Sequence, residues 1–171
     1  RFYKLALGGI FAIIIIGAYM AFTGYANDVY PLDQSVGFLD RIVATSDPQS
    51  IIADINSIKA NLPETGNPVW IFPTDSTNFS RIQADLDTML ISAEKIAAVP
   101  TDSAAYHTGM LDINSRSVLI QENISDAIPY MYVSFSNIIF SSIWIAAILG
   151  IFAVLNKKKQ KMQEYDVSQD V

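Results

Sequence analysis

Two uncharged runs constrain this chain more than any other feature: Leu5 to Ala26, 22 residues, and Ala127 to Asn156, 30 residues. All eleven basic and seventeen acidic side chains lie outside them. About 18 or more apolar residues in a row suffice to cross a bilayer. With 51% hydrophobic and 16% charged residues divided this way, a one-domain soluble protein and a disordered chain are both excluded. There is no cysteine, which removes disulfides, thiolate metal sites and cysteine nucleophiles.

The first run spans about 33 Å as a helix, against a bilayer core of about 30 Å. Its end, Gly24-Tyr25-Ala26, has the small-x-small form of a signal cleavage site. The run exceeds a typical signal core, so we expect it to stay as an anchor. The second run has Tyr130 and Tyr132 near its start, Trp144 inside it and Lys157-Lys158-Lys159 with Lys161 closing it. Aromatics favour the interface, and lysines beside a helix end mark the cytoplasmic side. Arg1 and Lys4 put the start of the first helix on that same side.

The expected protein is therefore an all-α membrane protein. Two transmembrane helices, 5–26 and 127–156 (the second with its juxtamembrane turn), flank an extracytoplasmic helical hairpin or bundle, 27–126. Residues 1–4 and 157–171 are a cytoplasmic flank and tail, so both termini face the cytoplasm. The outer segment has fourteen acidic and five basic residues and carries −9, which argues against nucleic acid as a partner.

Four helices can be read in the outer segment. The first, Asp33 to Ala44, sets Val36, Leu39 and Val43 on one side. Asp47-Pro48 caps the second, whose Ile51, Ile55, Ile58 and Leu62 recur at helical spacing until Pro63. The third, Thr77 to Ala98, carries Phe79, Ile82, Leu86, Met89, Ala93 and Ile96. The fourth opens at Thr101-Asp102-Ser103 and aligns Tyr106, Met110, Ile113, Ser117, Ile120, Ile124, Ala127 and Met131. Joined by Val99-Pro100-Thr101, the third and fourth should form an antiparallel hairpin. Pro129 is expected to kink the fourth helix or loosen one turn.

That hairpin returns the segment Pro63–Ser76 to the membrane end of the fourth helix. Val69, Trp70, Ile71 and Phe72 form an apolar tetrad there, among three prolines. Such a loop needs a burial site: the base of the stalk, a partner subunit or the lipid interface. We take it as the main contact element of the outer segment. Small residues also recur four apart, at Gly17 and Ala21 and at Ser142, Ala146 and Gly150. Such ladders let membrane helices approach closely, within this chain or in contact with another subunit.

Signals for chemistry are sparse. His107 is the one imidazole, with Met110 three residues on as a conceivable soft copper ligand. A metal would need further ligands from outside, so no metal and no cofactor is expected. No G-x-S-x-G turn or phosphate-binding glycine loop occurs, no small-molecule substrate is indicated, and the apolar runs hold no acid or base for a proton or ion pathway. Two sequons, Asn78-Phe79-Ser80 and Asn123-Ile124-Ser125, are candidate glycosylation acceptors.

The reading that follows is a noncatalytic accessory subunit of a multi-subunit membrane complex, held by lipid and by other integral membrane subunits. The alternative is an extracytoplasmic sensory or adaptor module, which would have to signal through a separate partner. In layout, Leu5–Ala26, the acidic helical stalk and Ile138–Leu155 followed by Lys157–Lys161 resemble the small helical accessory subunits of archaeal ammonia monooxygenase. The resemblance covers layout across most of the chain and has no family-specific motif. It implies a copper-dependent oxidoreductase complex that oxidises ammonia, in which this chain does not hold the copper.

Overall fold

The structure is a computed structural model that describes the backbone of residues 2–169 and the side chains of residues 7–161. Every regular element among the described residues is helical: α1 (Phe2–Gly24), a π turn (Tyr25–Val29), α2 (Tyr30–Ala44), α3 (Pro48–Asn61), α4 (Phe79–Ala97), α5 (Ala104–Tyr132) and α6 (Phe135–Gln169). Two stretches are long and apolar enough to cross a membrane, one starting in α1 and one ending in α6. The chain divides into two compact units. One is Gly24–Ser134. The other is formed by the chain on either side, through Thr23 and from Phe135 onward.

Within Gly24–Ser134, α2 packs on α3 and α5, and α4 packs on the same two helices. Side-chain pairs show that the neighbours are antiparallel, because partner numbers rise on one helix as they fall on the other. Arg41 meets Asp54 while Gln34 meets Asn61, which sets α2 against α3. Lys59 pairs with Asp87, and the Gln83 amide donates to the Leu62 carbonyl at 3.2 Å, which sets α3 against α4. The Ser117 hydroxyl reaches the Met89 sulfur at 3.4 Å, and Gly109 faces Ile96, which sets α4 against α5.

The core is built from the expected stripes on α3, α4 and α5, with Ile51, Ile55, Ile58, Leu86, Ile113 and Ile124 among its fully enclosed side chains. On α2 the stripe differs. Leu32, Ser35, Leu39 and Ile42 are buried, whereas Val36 is half-buried and Val43 exposed. An apolar-only pattern misses this face because Ser35 interrupts it. Its hydroxyl donates to the Pro31 carbonyl at 2.8 Å, so it enters the core already hydrogen-bonded.

Helix boundaries differ from expectation in two further places. Helical structure continues from the first run into α2, where the sequence suggested a break before Asp33. Pro31 has no N–H for a carbonyl four residues back, and its ring crowds that carbonyl. The turn widens just before it, with the Tyr30 N–H donating to the Tyr25 carbonyl five residues earlier. The second difference lies past Pro129, where the fourth helix was expected to lead straight into the second apolar run. α5 runs through Pro129 to Tyr132, and the interruption comes at Val133 and Ser134. Ala127 is fully buried in the core beside α5's other stripe residues, so the second apolar helix starts at Phe135. That helix continues through the lysine cluster to Gln169.

Caps follow local chemistry. Asn78 accepts from the Ser80 N–H and Ser103 from the Tyr106 N–H. The Asp47 carboxylate accepts the Ser50 hydroxyl at 2.5 Å and the Ser50 and Gln49 N–H groups at 3.0 and 3.3 Å. These bonds, the Ser50 hydroxyl first, hold the Asp47 carboxyl below the ordinary 3.8. A depressed folded value means that the cap's full contribution is present above 3.8 and is lost as pH falls through the folded value. Asparagine caps as well as aspartate but does not titrate there. The melting temperature of Asp47→Asn should therefore fall less steeply with acidification than the parent's; parallel curves would refute the assignment.

Candidate functional site

The apolar tetrad sits in a loop whose backbone is organised by Asn67, a residue the sequence reading passed over. Its amide donates to the Thr74 carbonyl at 2.7 Å, and its side-chain oxygen accepts from the Val69 N–H and the Thr77 hydroxyl, each at 3.0 Å. Gly66 adopts φ +110°, which a side-chain-bearing residue rarely takes, and its carbonyl accepts the Phe79 N–H at 2.9 Å. Loop and helix start are thereby locked together. Asparagine between glycine and proline is a turn signal and could have flagged the arrangement.

Within this frame the four apolar residues part company. Val69 is buried at 6% exposure, and it anchors the loop. The Trp70 indole N–H donates to the Val133 carbonyl at 3.0 Å, across 63 residues of sequence, which ties the loop to the end of α5. Val133 closes α5 with φ −101° and ψ 34°. Ile71 and Phe72 project outward, at 55% and 80% exposure. The antiparallel α4 and α5 thus return the loop to the α5 terminus as expected, with Ile71 and Phe72 its most exposed members.

The small-residue ladders also separate. An added Cβ on Gly17 would lie 2.7 Å from the Trp144 ring, so this glycine is a seat for that indole. With no Cβ in the way, Trp144 reaches the helix backbone and donates its N–H to the Ile13 carbonyl at 3.0 Å. Trp144, expected as an interfacial anchor, instead joins α1 to α6. Ala21, one turn beyond Gly17, is exposed. Ser142, Ala146 and Gly150 are exposed as well, and among the described residues nothing lies within 4 Å of where a Gly150 Cβ would be. The Ser142 hydroxyl is satisfied by its own helix, donating to the Ile138 carbonyl at 2.8 Å.

Gly17→Val should therefore drive Trp144 from its seat. Tryptophan emission and cysteine cross-linking between α1 and α6 in detergent would both change; cross-linking at the parental rate would contradict the contact.

His107 is exposed on α5, edge-on to the Tyr106 ring with centroids 5.8 Å apart, while Met110 turns into the core. Among the described residues no three His, Cys, Asp or Glu side chains gather as a metal site would require. Asn78 is occupied as a helix cap, and Asn123 is half-buried within α5 rather than on a surface loop. The Arg41–Asp54 pair borders an open groove with Ala44, Thr45, Ser50 and Ala53, and it fastens α2 to α3. No family model, curated protein or solved structure matches the chain.

Proposed function

We propose that this chain is a noncatalytic accessory subunit of a multi-subunit integral membrane complex. In this reading α1 and α6 cross the membrane, both termini are cytoplasmic, and α2–α5 form an extracytoplasmic four-helix bundle. The observation that carries it is the exposed Ser142–Ala146–Gly150 face of α6. Residues two apart on a helix point to nearly opposite sides. The small face is therefore turned away from Trp144, the residue that meets α1. Exposed small side chains on an apolar helix permit close approach by another membrane helix, where packing rather than the hydrophobic effect drives association. The layout resemblance makes an archaeal ammonia monooxygenase the first complex to examine, with the copper held by other chains.

Gly150→Leu separates this role from folding, because among the described residues no atom lies within 4 Å of the added Cβ. We expect the variant to fold and insert normally but to be recovered with less of its complex after mild detergent extraction. Recovery equal to the parent's, or a parent chain that purifies alone or only as a homodimer, would remove the accessory-subunit reading.

A further inference from the structure

We infer that the tip of the Asn67–Thr77 loop is a lipid anchor that dips into the outer headgroup–acyl boundary of the bilayer. The inference rests on the reading that α1 and α6 cross the membrane, and it concerns a different element. Four observations carry it. The tip is apolar and outward: Ile71 and Phe72 are the most exposed members of the tetrad, and no charge occurs between Glu64 and Asp75. The tip is also held rigidly, by Asn67 from within the loop and by the Trp70 indole on the Val133 carbonyl. A preordered loop loses little conformational freedom on insertion, which is the main cost that an exposed flexible loop would meet.

The third observation is position. Val133 is followed by Ser134, the last residue of the Gly24–Ser134 unit before the chain passes into α6. Tyr25, one residue inside the unit's other chain passage, lies near Tyr132 and Tyr30. Both passages into apolar helices therefore leave from the end of the unit that holds the loop. The fourth observation is composition. Tyr25, Tyr30, Tyr130 and Tyr132 are all exposed at this end, and Trp70 joins them. Tyrosine and tryptophan collect where membrane meets water, with the ring toward acyl chains and the polar atom toward headgroups. A protein partner would account for an apolar tip but not for exposed tyrosines beside each of the two chain passages. The unit's acidic charge favours a zwitterionic lipid surface over an anionic one.

The absence of cysteine makes a direct test straightforward. Single cysteines placed by Phe72→Cys, Leu149→Cys and Leu111→Cys in the full chain would each take a spin label. The labelled chains would be reconstituted in phosphatidylcholine vesicles. Collision with apolar oxygen and with a water-soluble nickel chelate then reports depth at each position. We expect the label at 72 to favour oxygen, at a depth of about 5–10 Å below the headgroup boundary. The label at 149 should lie deeper, and the label at 111 should favour the chelate. A label at 72 as open to the chelate as that at 111, with 149 in lipid, would overturn the anchor and leave the spanning reading intact. A label at 72 shielded from both reagents would mean a protein contact and overturn it too. Chelate access at 149 would remove the spanning reading and the anchor together.

Discussion

Leu86→Ala should destabilise the Gly24–Ser134 unit by about 2–5 kcal/mol, the usual cost of emptying an enclosed leucine site. Leu86 is fully buried in the middle of α4, within the core shared by α2–α5. Helices on several sides hold their places through their own stripes, so the void should close only in part. A domain of this size has a net stability of about 5–15 kcal/mol, so the loss is a large share of it. Thermal unfolding followed by circular dichroism in detergent should show a midpoint lowered by about 10–30 °C. Leu111→Ala, on the exposed side of α5 at 69% exposure, should stay within about 0.5 kcal/mol of the parent. Equal midpoints for the two variants would mean that the core is not where the structure puts it.

Arg41→Met should cost about 1.5–3 kcal/mol, the range for a hydrogen-bonded charge left without its partner. The Asp54 side chain is 10% exposed while that of Arg41 is 62% exposed, so the burden of burial falls on the carboxylate. The guanidinium Nε donates to Asp54 Oδ2 at 3.2 Å and Nη2 donates to Oδ1, a two-point grip that a methionine cannot make. Water reaches the arginine, which keeps the cost below the roughly 3–5 kcal/mol of a fully buried pair. Replacing both residues, as Arg41→Met with Asp54→Leu, should restore much of the stability, since no charge is then stranded. A double variant as unstable as Arg41→Met alone would show that the pair acts through something other than its charges. The Lys59–Asp87 pair, with Asp87 more than half exposed, should matter far less.

How far the fold could be read in advance depended on the range of the interaction involved. The stripes on α3, α4 and α5 repeat every three or four residues, and a helix turns such a repeat into one face wherever it packs. Asp47, Asn78 and Ser103 cap their helices through bonds two or three residues away, so their roles too are written locally. The α2 face was hidden because the buried set includes Ser35, whose suitability depends on a bond to Pro31. Val36 and Val43, the apolar choices, lie to one side of it. Pro129 was expected to kink the helix or loosen one turn; α5 runs through it, and the interruption falls at Val133 and Ser134, which no local signal marked.

The candidate contact surfaces were legible as residues but not as a site. Sequence spacing put Gly17 and Gly150 in the same category, yet one seats Trp144 and the other, among the described residues, has nothing within 4 Å of an added Cβ. The tetrad likewise read as a single apolar patch, whereas its first member is buried, its second is tied to Val133 and the last two face outward.

The sequence alone determined two apolar helices, four amphipathic ones and the caps that begin two of them, because burial in lipid, helical periodicity and capping all act over a few consecutive residues. Only the tertiary structure decided which face α2 turns inward, that Trp144 rests on Gly17 and that Trp70 closes on Val133. Those contacts join residues 63 and 131 positions apart through hydrogen bonds of 3.0 Å, and no local pattern encodes a distance that depends on the packing of whole helices.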